Sequence, residues 1–122
     1  MTAASRTYPR GAVVMANLDP VTGSEQGGMR PVVIVSNLET VKKSRARALY
    51  VIVPLTRSKI LQGVLAPRIK ARAGGIPLDS VVLTMHIRSL DASRINGQVT
   101  VFEPHEFMPI LEGLKALLEL GV

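Results

Sequence analysis

Gly23-Ser24-Glu25-Gln26-Gly27-Gly28-Met29-Arg30-Pro31, followed at once by Val32-Val33-Ile34-Val35, joins a glycine-rich loop to an apolar run without a break. Successive side chains on a strand point to opposite faces. Four apolar residues in a row therefore describe a strand covered on both sides, and a central strand is predicted over residues 31–37. The loop before it, residues 17–29, contains Gly27 and Gly28, which open backbone angles that other residues avoid. Pro31 biases the residue before it toward extended geometry, so Arg30 is expected at the strand entrance in an extended conformation. An arginine held there suits an anionic ligand, phosphate above all, because its planar fork donates two parallel hydrogen bonds.

Further strands are predicted on either side of that run, at residues 11–16, 47–55, 63–71, 80–90 and 95–101. In the third, Tyr50 and Ile52 alternate with Leu49, Val51 and Val53. Pro67 marks the 63–71 strand as an edge or a bulge. Gly74, Gly75 and Pro77 make a turn. Residues 39–45 read as a charged loop, and Asp91 caps a single helical turn at 91–94. Phe107, Ile110, Leu111, Leu114, Leu117 and Leu118 recur at helical spacing, with Pro104 where helices begin and Gly121 where they end. The segment is an amphipathic helix whose stripe packs on the sheet. Residues 1–9 are polar and expected to fray. Several short strands with one terminal helix give an α+β domain, most simply a small, strongly curved antiparallel sheet, in a single domain of 122 residues.

Cysteine is absent, which removes disulfides, thiolate nucleophiles and cysteine metal sites and suits a reducing cytoplasm. Neither a signal peptide nor a membrane span is visible in the sequence. The net charge of +6 is unevenly placed: residues 42–72 carry nine Lys and Arg and no Asp or Glu, while Glu103, Glu106, Glu112 and Glu119 oppose Lys115 in the tail. A basic middle and an acidic tail predict one positive face, which attracts a polyanion or an acidic protein. His86 and His105 stand alone, without an HxxxH or paired-carboxylate pattern, so no metal site and no other cofactor are expected. Phosphate-loop and serine-hydrolase motifs are missing as well.

Three ordered pieces carry a resemblance. They are Asp19-Pro20 with Gly23-Ser24-Glu25-Gln26-Gly27 and Arg30-Pro31; Val53-Pro54-Leu55-Thr56; and Asp79-Ser80-Val81-Val82-Leu83 with Ile87-Arg88-Ser89-Leu90-Asp91 and Arg94-Ile95. From about Arg10 to the C-terminus the chain resembles the MazF/PemK family of toxin endoribonucleases, the toxin halves of toxin–antitoxin pairs. The resemblance implies a half-open β-barrel with the long helix outside, assembled as a homodimer. It implies a metal-independent cut in single-stranded RNA that leaves a 2′,3′-cyclic phosphate and a 5′-hydroxyl. It also implies an acidic antitoxin that covers the basic groove.

By that resemblance Arg30 and Thr56 are the functional pair, acting as phosphate-binding cation and hydroxyl donor. Glu25 either orients Arg30 or accepts the 2′-hydroxyl proton. Ser24, Gln26, Gly27, Arg57, Lys59 and Arg88 are candidate RNA contacts, with bases read by loop backbone and polar side chains. Family members often carry Asp-Gln where this chain has Met85-His86. Methionine transfers no proton; His86 either takes over that task, as an imidazole can near neutrality, or only replaces the glutamine as a hydrogen-bonding group. Strand alternation predicts Thr84, His86 and Arg88 on one face, the polar face that Arg30 opens onto. Two other readings remain at this stage. One is a family member that binds RNA or antitoxin without cutting. The other is a gyrase poison like the CcdB toxins, whose anchoring tryptophan this chain lacks.

Overall fold

Strand β2 (Met29–Ile34) lies between β1 (Ala12–Asn17) and β3 (Leu49–Thr56) and runs antiparallel to both. The computed structural model describes residues 7–20, 22–23, 25, 27–45 and 49–120. Val32 and Ile34 enter one apolar cluster with Val14, Ala16, Tyr50 and Ile52. Val33 enters another with Val13, Val53 and Leu55, and Val35 packs against it. The apolar run is thus two-faced, as its sequence requires.

The other elements are α1 (Leu38–Lys43), β4 (Arg68–Ile69), β5 (Ser80–Val82), β6 (Arg88–Asp91), β7 (Ile95–Val101) and α2 (Pro104–Leu118). The sheet order is β4-β5-β3-β2-β1-β7, with β6 also paired to β3. Two irregularities in the β1–β7 register bend the sheet. It curls around the first cluster, which Tyr8, Leu90 and Ala92 help to fill. Helix α2 lies on the opposite face, where Ile110 and Leu114 meet the second cluster. This is the predicted α+β architecture, a half-open barrel with its helix outside. Among the described residues no helix is long and apolar enough to cross a membrane.

The predicted strand over 80–90 is broken, and β3 explains where. Val51 faces the β2 side: its carbonyl accepts from the Val35 N–H at 2.9 Å, and its own N–H donates to Ser36 Oγ at 3.1 Å. Ile52 and Pro54 therefore turn their peptide groups the other way, and the Pro54 carbonyl accepts from Leu83 at 2.9 Å. Proline has no N–H to return. Pairing runs from Leu49↔Asp91 to Ile52↔Arg88 and resumes at Leu55↔Val82. Three steps along β3 are thus matched by six on its partner. The three surplus residues, Thr84–His86, form a 3₁₀ turn that stands out of the ladder opposite the missing donor.

Other expectations also change. The charged loop 39–45 contains α1, started by the Asn37 side chain, which accepts from the Thr40 amide at 3.0 Å. Only Arg68–Ile69 of the 63–71 strand pairs: Gly63 has φ +97 and the chain turns there, with Ala66 N–H bonded to the Gly63 carbonyl. The pair does sit at the sheet edge. The single helical turn after Asp91 is present as 3₁₀, and Asp91 accepts from Ser93. Tyr8 does not fray; it is 2 % exposed, meets Tyr50 edge to face, and receives no freedom from its terminal position. Leu118 drops out of the α2 stripe at 51 % exposed. Residues 1–6, Arg47, Ala48 and Gly121 lie outside the described residues.

Two contacts fasten α2. A Cβ built on Gly113 would stand 2.7 Å from the Val64 carbonyl oxygen and 3.1 Å from the Thr84 methyl, so only glycine permits this approach. At the other end, Arg72 reaches Glu106 with Nε at 2.9 Å and Nη2 at 2.7 Å, while Glu106 also accepts from the Glu103 amide at 2.9 Å. Glu106 is 6 % exposed. Arg72 therefore does not belong to a free basic face; it neutralises the helix it binds. The bonded guanidinium holds the Glu106 carboxyl below the ordinary glutamate range, against the opposing effect of burial.

Gly113→Ala is expected to destabilise the protein by about 1–2 kcal/mol, because overpacking against a backbone oxygen outweighs the gain of roughly 1 kcal/mol in helix propensity. Urea unfolding at neutral pH measures it. Glu106 is more acidic folded than unfolded. Its contribution is therefore complete above the ordinary glutamate value of 4.5 and fades as pH falls through the lowered native value. Acid titration of stability should be less steep in Glu106→Gln than in the parent protein below that point.

Candidate functional site

The glycine-rich loop is anchored at its root. The β1–β2 ladder ends at Asn17↔Met29, and Leu18 N–H extends it by bonding the Gly28 carbonyl at 2.9 Å. Gly28 has φ +74, and nothing lies within 4 Å of where its Cβ would be; the backbone angle, not crowding, requires glycine. The Asp19 carboxylate accepts from the Gly28 amide at 2.9 Å. Arg88 donates to the Leu18 carbonyl at 3.2 Å, and Arg94 donates to the carbonyls of Asn17 and Asp19. Three charged side chains thus hold a loop that carries Glu25 and Gly27.

Arg30 follows two residues after that anchor. Its Nε donates to the Gly27 carbonyl at 2.8 Å, which orients the guanidinium and leaves its terminal N–H groups for a ligand. Thr56 ends β3. The β2–β3 pairing ends at Val32↔Pro54, and Arg30 and Thr56 each stand two residues beyond that end. Both residues line a cavity of about 500 Å³, together with Gly27, Arg57 and the apolar Met29 and Leu55. The Thr56 Oγ1 accepts from the Ser58 amide at 3.2 Å, which leaves its O–H to donate.

Glu25, His86 and Arg88 line a different cavity, of about 520 Å³, with Gln62, Leu18 and Pro54. The expected common face of Thr84, His86, Arg88 and Arg30 is overturned by the 3₁₀ turn. Thr84 is buried, with Oγ1 donating to the Leu65 carbonyl at 2.6 Å, and His86 is half-buried beside the second cavity. Arg88 is committed in part to the Leu18 carbonyl. Lys59 is exposed and lines neither cavity; its carbonyl accepts from Arg68. Ser24 and Gln26 lie outside the described residues. Among the described residues, no group of three or more His, Asp or Glu could hold a metal ion. Asp19 and Arg94 received no role from the sequence, although both stand in the quoted motifs; their partners are backbone groups, which leave no mark on residue identity.

Residues 9–118 match the family model described as PemK-like, MazF-like toxin of type II toxin-antitoxin system. The chain is 32 % identical over 112 residues to endoribonuclease EndoA of Bacillus subtilis, covering 91 % of this chain and 94 % of that one. It is 35 % identical over 113 residues to endoribonuclease MazF of Staphylococcus epidermidis, covering 92 % of each. Among solved structures, MazF of Deinococcus radiodurans superposes with a TM-score of 0.77 at 28 % identity, over 94 % of this chain and 99 % of that chain. A MazE–MazF complex from the same organism gives 0.71, also at 28 % identity, over 96 % and 100 %.

The loop anchor makes its own prediction. Asp19→Ala removes the acceptor for the Gly28 amide, and hydrogen exchange at Gly28 should accelerate about tenfold, the worth of one charge-assisted bond. Exchange at Val33, inside the ladder, should not change.

Proposed function

Because this chain belongs to the PemK-like, MazF-like toxin family of type II toxin–antitoxin systems, we propose that it is an endoribonuclease cutting single-stranded RNA by internal phosphoryl transfer. The observation that supports the reading is that Arg30 and Thr56 line one cavity. The substrate brings its own nucleophile. Its 2′-oxygen bonds to the adjacent phosphorus, the bond to the 5′-oxygen breaks, and the products are a 2′,3′-cyclic phosphate and a 5′-hydroxyl. One proton leaves the 2′-hydroxyl and one reaches the departing 5′-oxygen.

The protein's part is alignment and charge stabilisation. Arg30, steadied by the Gly27 carbonyl, faces the phosphate oxygens with its terminal N–H groups. Thr56 donates its hydroxyl to the same group. Glu25, two residues from Gly27 on the anchored loop, accepts the 2′-hydroxyl proton. Arg57, exposed at the same cavity, and Lys59 outside it attract the flanking phosphates. No metal ion takes part in this scheme.

The partners follow the relatives. An antitoxin bound to the D. radiodurans relative supports an acidic antitoxin here, seated over the basic residues around the first loop. A homodimer is proposed as well, supported by the exposed apolar Ile60, Leu61 and Val64. The site of action is the cytoplasm.

Incubation of the purified protein with a long unstructured RNA in EDTA tests the reading. Discrete cuts bearing cyclic phosphate are expected, and Arg30→Ala should lower the rate by at least about 10² while leaving the fold intact. Cutting that appears only with added magnesium, or an Arg30→Ala variant as fast as the parent, refutes it.

A further inference from the structure

The turn at Thr84–His86 sends its three side chains in three directions. A 3₁₀ helix has three residues per turn, so successive side chains stand about 120° apart. Thr84 is fully buried and Met85 is exposed, while His86 is half-buried in the lining of the cavity that holds Glu25 and Arg88. What His86 meets therefore depends on how the turn is rotated about its own axis. The bonds within the turn do not set that rotation. The His86 N–H donates to the Leu83 carbonyl at 3.0 Å and the Ile87 N–H to the Thr84 carbonyl at 3.2 Å, which fixes only the shape of the turn. Its ends are tied to β3, at Leu83 through the Pro54 carbonyl and at Arg88 through Ile52. The three residues between are left to other contacts.

One atom outside the turn takes hold of it. The Leu65 carbonyl accepts from the Thr84 hydroxyl at 2.6 Å and from the Thr84 N–H at 3.3 Å. The amide contact is longer than an ordinary N–H···O bond, so the hydroxyl is the stronger tie. On its other side the Thr84 methyl lies against α2, where a Cβ on Gly113 would stand 3.1 Å from it. Threonine meets both requirements at once, with a directional donor toward the loop and a small apolar group toward the helix. Valine would keep the shape and lose the donor; serine would keep the donor and lose the methyl. Among the described residues, α2 contributes none to either cavity, yet it bears on His86 through this contact.

We propose that Thr84 is a positioning residue. Its hydroxyl, bonded to the Leu65 carbonyl, fixes the rotation of the turn and so holds the His86 imidazole in the cavity it shares with Glu25. The consequence for cleavage rests on the nuclease reading, in which Glu25 takes the 2′-hydroxyl proton in that cavity; the placement of His86 does not.

The chain has two histidines, and their ring-proton resonances in an NMR spectrum test the placement directly. His105, exposed in the first turn of α2, is the internal control. Thr84→Val should move the His86 resonances and leave those of His105 in place, and Thr84→Ser, which restores the donor, should bring them back. Cleavage of a long single-stranded RNA reads the consequence. Thr84→Val should cut about tenfold more slowly than the parent, as a misplaced group does, and Thr84→Ser should recover most of that rate. In a His86→Ala background the valine change should cost less than about twofold, because both substitutions then remove one shared contribution. His86 resonances unmoved in Thr84→Val, both histidines moved alike, or the same loss of rate with and without His86 overturns the proposal. If no form cuts RNA, the nuclease reading falls and the resonances still decide the placement: moved by valine and restored by serine they uphold it, and unmoved they overturn it.

Discussion

The register between β2 and β3 is the constraint on which the rest depends. Val32 against Pro54 places the apolar faces of both strands in two separate clusters, one inside the curled sheet and one under α2. A slip of one residue would exchange those faces, and burial on both sides forbids it. Arg30 and Thr56 stand two residues beyond the last pair of that register, where both line one cavity. The core therefore positions the site: side chains that bury nothing are set by neighbours that bury everything.

Pro54 has a second effect. Its missing N–H falls on the side of β3 that faces the returning chain, and there the partner strand gives way to a three-residue turn. That turn sends Thr84 inward, against Leu65 and the glycine of α2, and brings His86 to a cavity. One absent donor thus couples the seating of the helix to the shape of the ligand face. Arg72 and Glu106 fasten the other end of the helix with a bidentate pair, joining the basic middle of the chain to its acidic tail.

The loop shows a division of labour among arginines. Arg88 and Arg94 give their N–H groups to backbone carbonyls at the loop root, while Arg30 gives one to Gly27 and presents the rest outward. Net charge alone does not distinguish these roles. A positive patch draws a polyanion, but only the hydrogen-bond partners decide which cations serve the ligand and which serve the fold.

Local pattern was legible wherever it was dense. The two-faced run at Val32–Val35, the alternation in β3, the stripe of α2 and the cap at Asp91 each follow from spacing and side-chain chemistry within a few residues. The quoted motifs carried the family, and with it Arg30 and Thr56. What spacing could not reveal were events set by a distant partner. Residues 80–90 read as one strand because their alternation is sound; the interruption belongs to Pro54, thirty positions earlier. Asp19 and Arg94 act on backbone atoms, so their tasks are invisible in residue identity. The closeness of Gly113 to the Val64 carbonyl likewise depends on a residue far away in the chain. By itself the sequence determined which segments bury which faces, since periodicity is a local property. Only the tertiary structure decided which polar groups share a cavity, because that depends on register and on where a ladder lacks a donor.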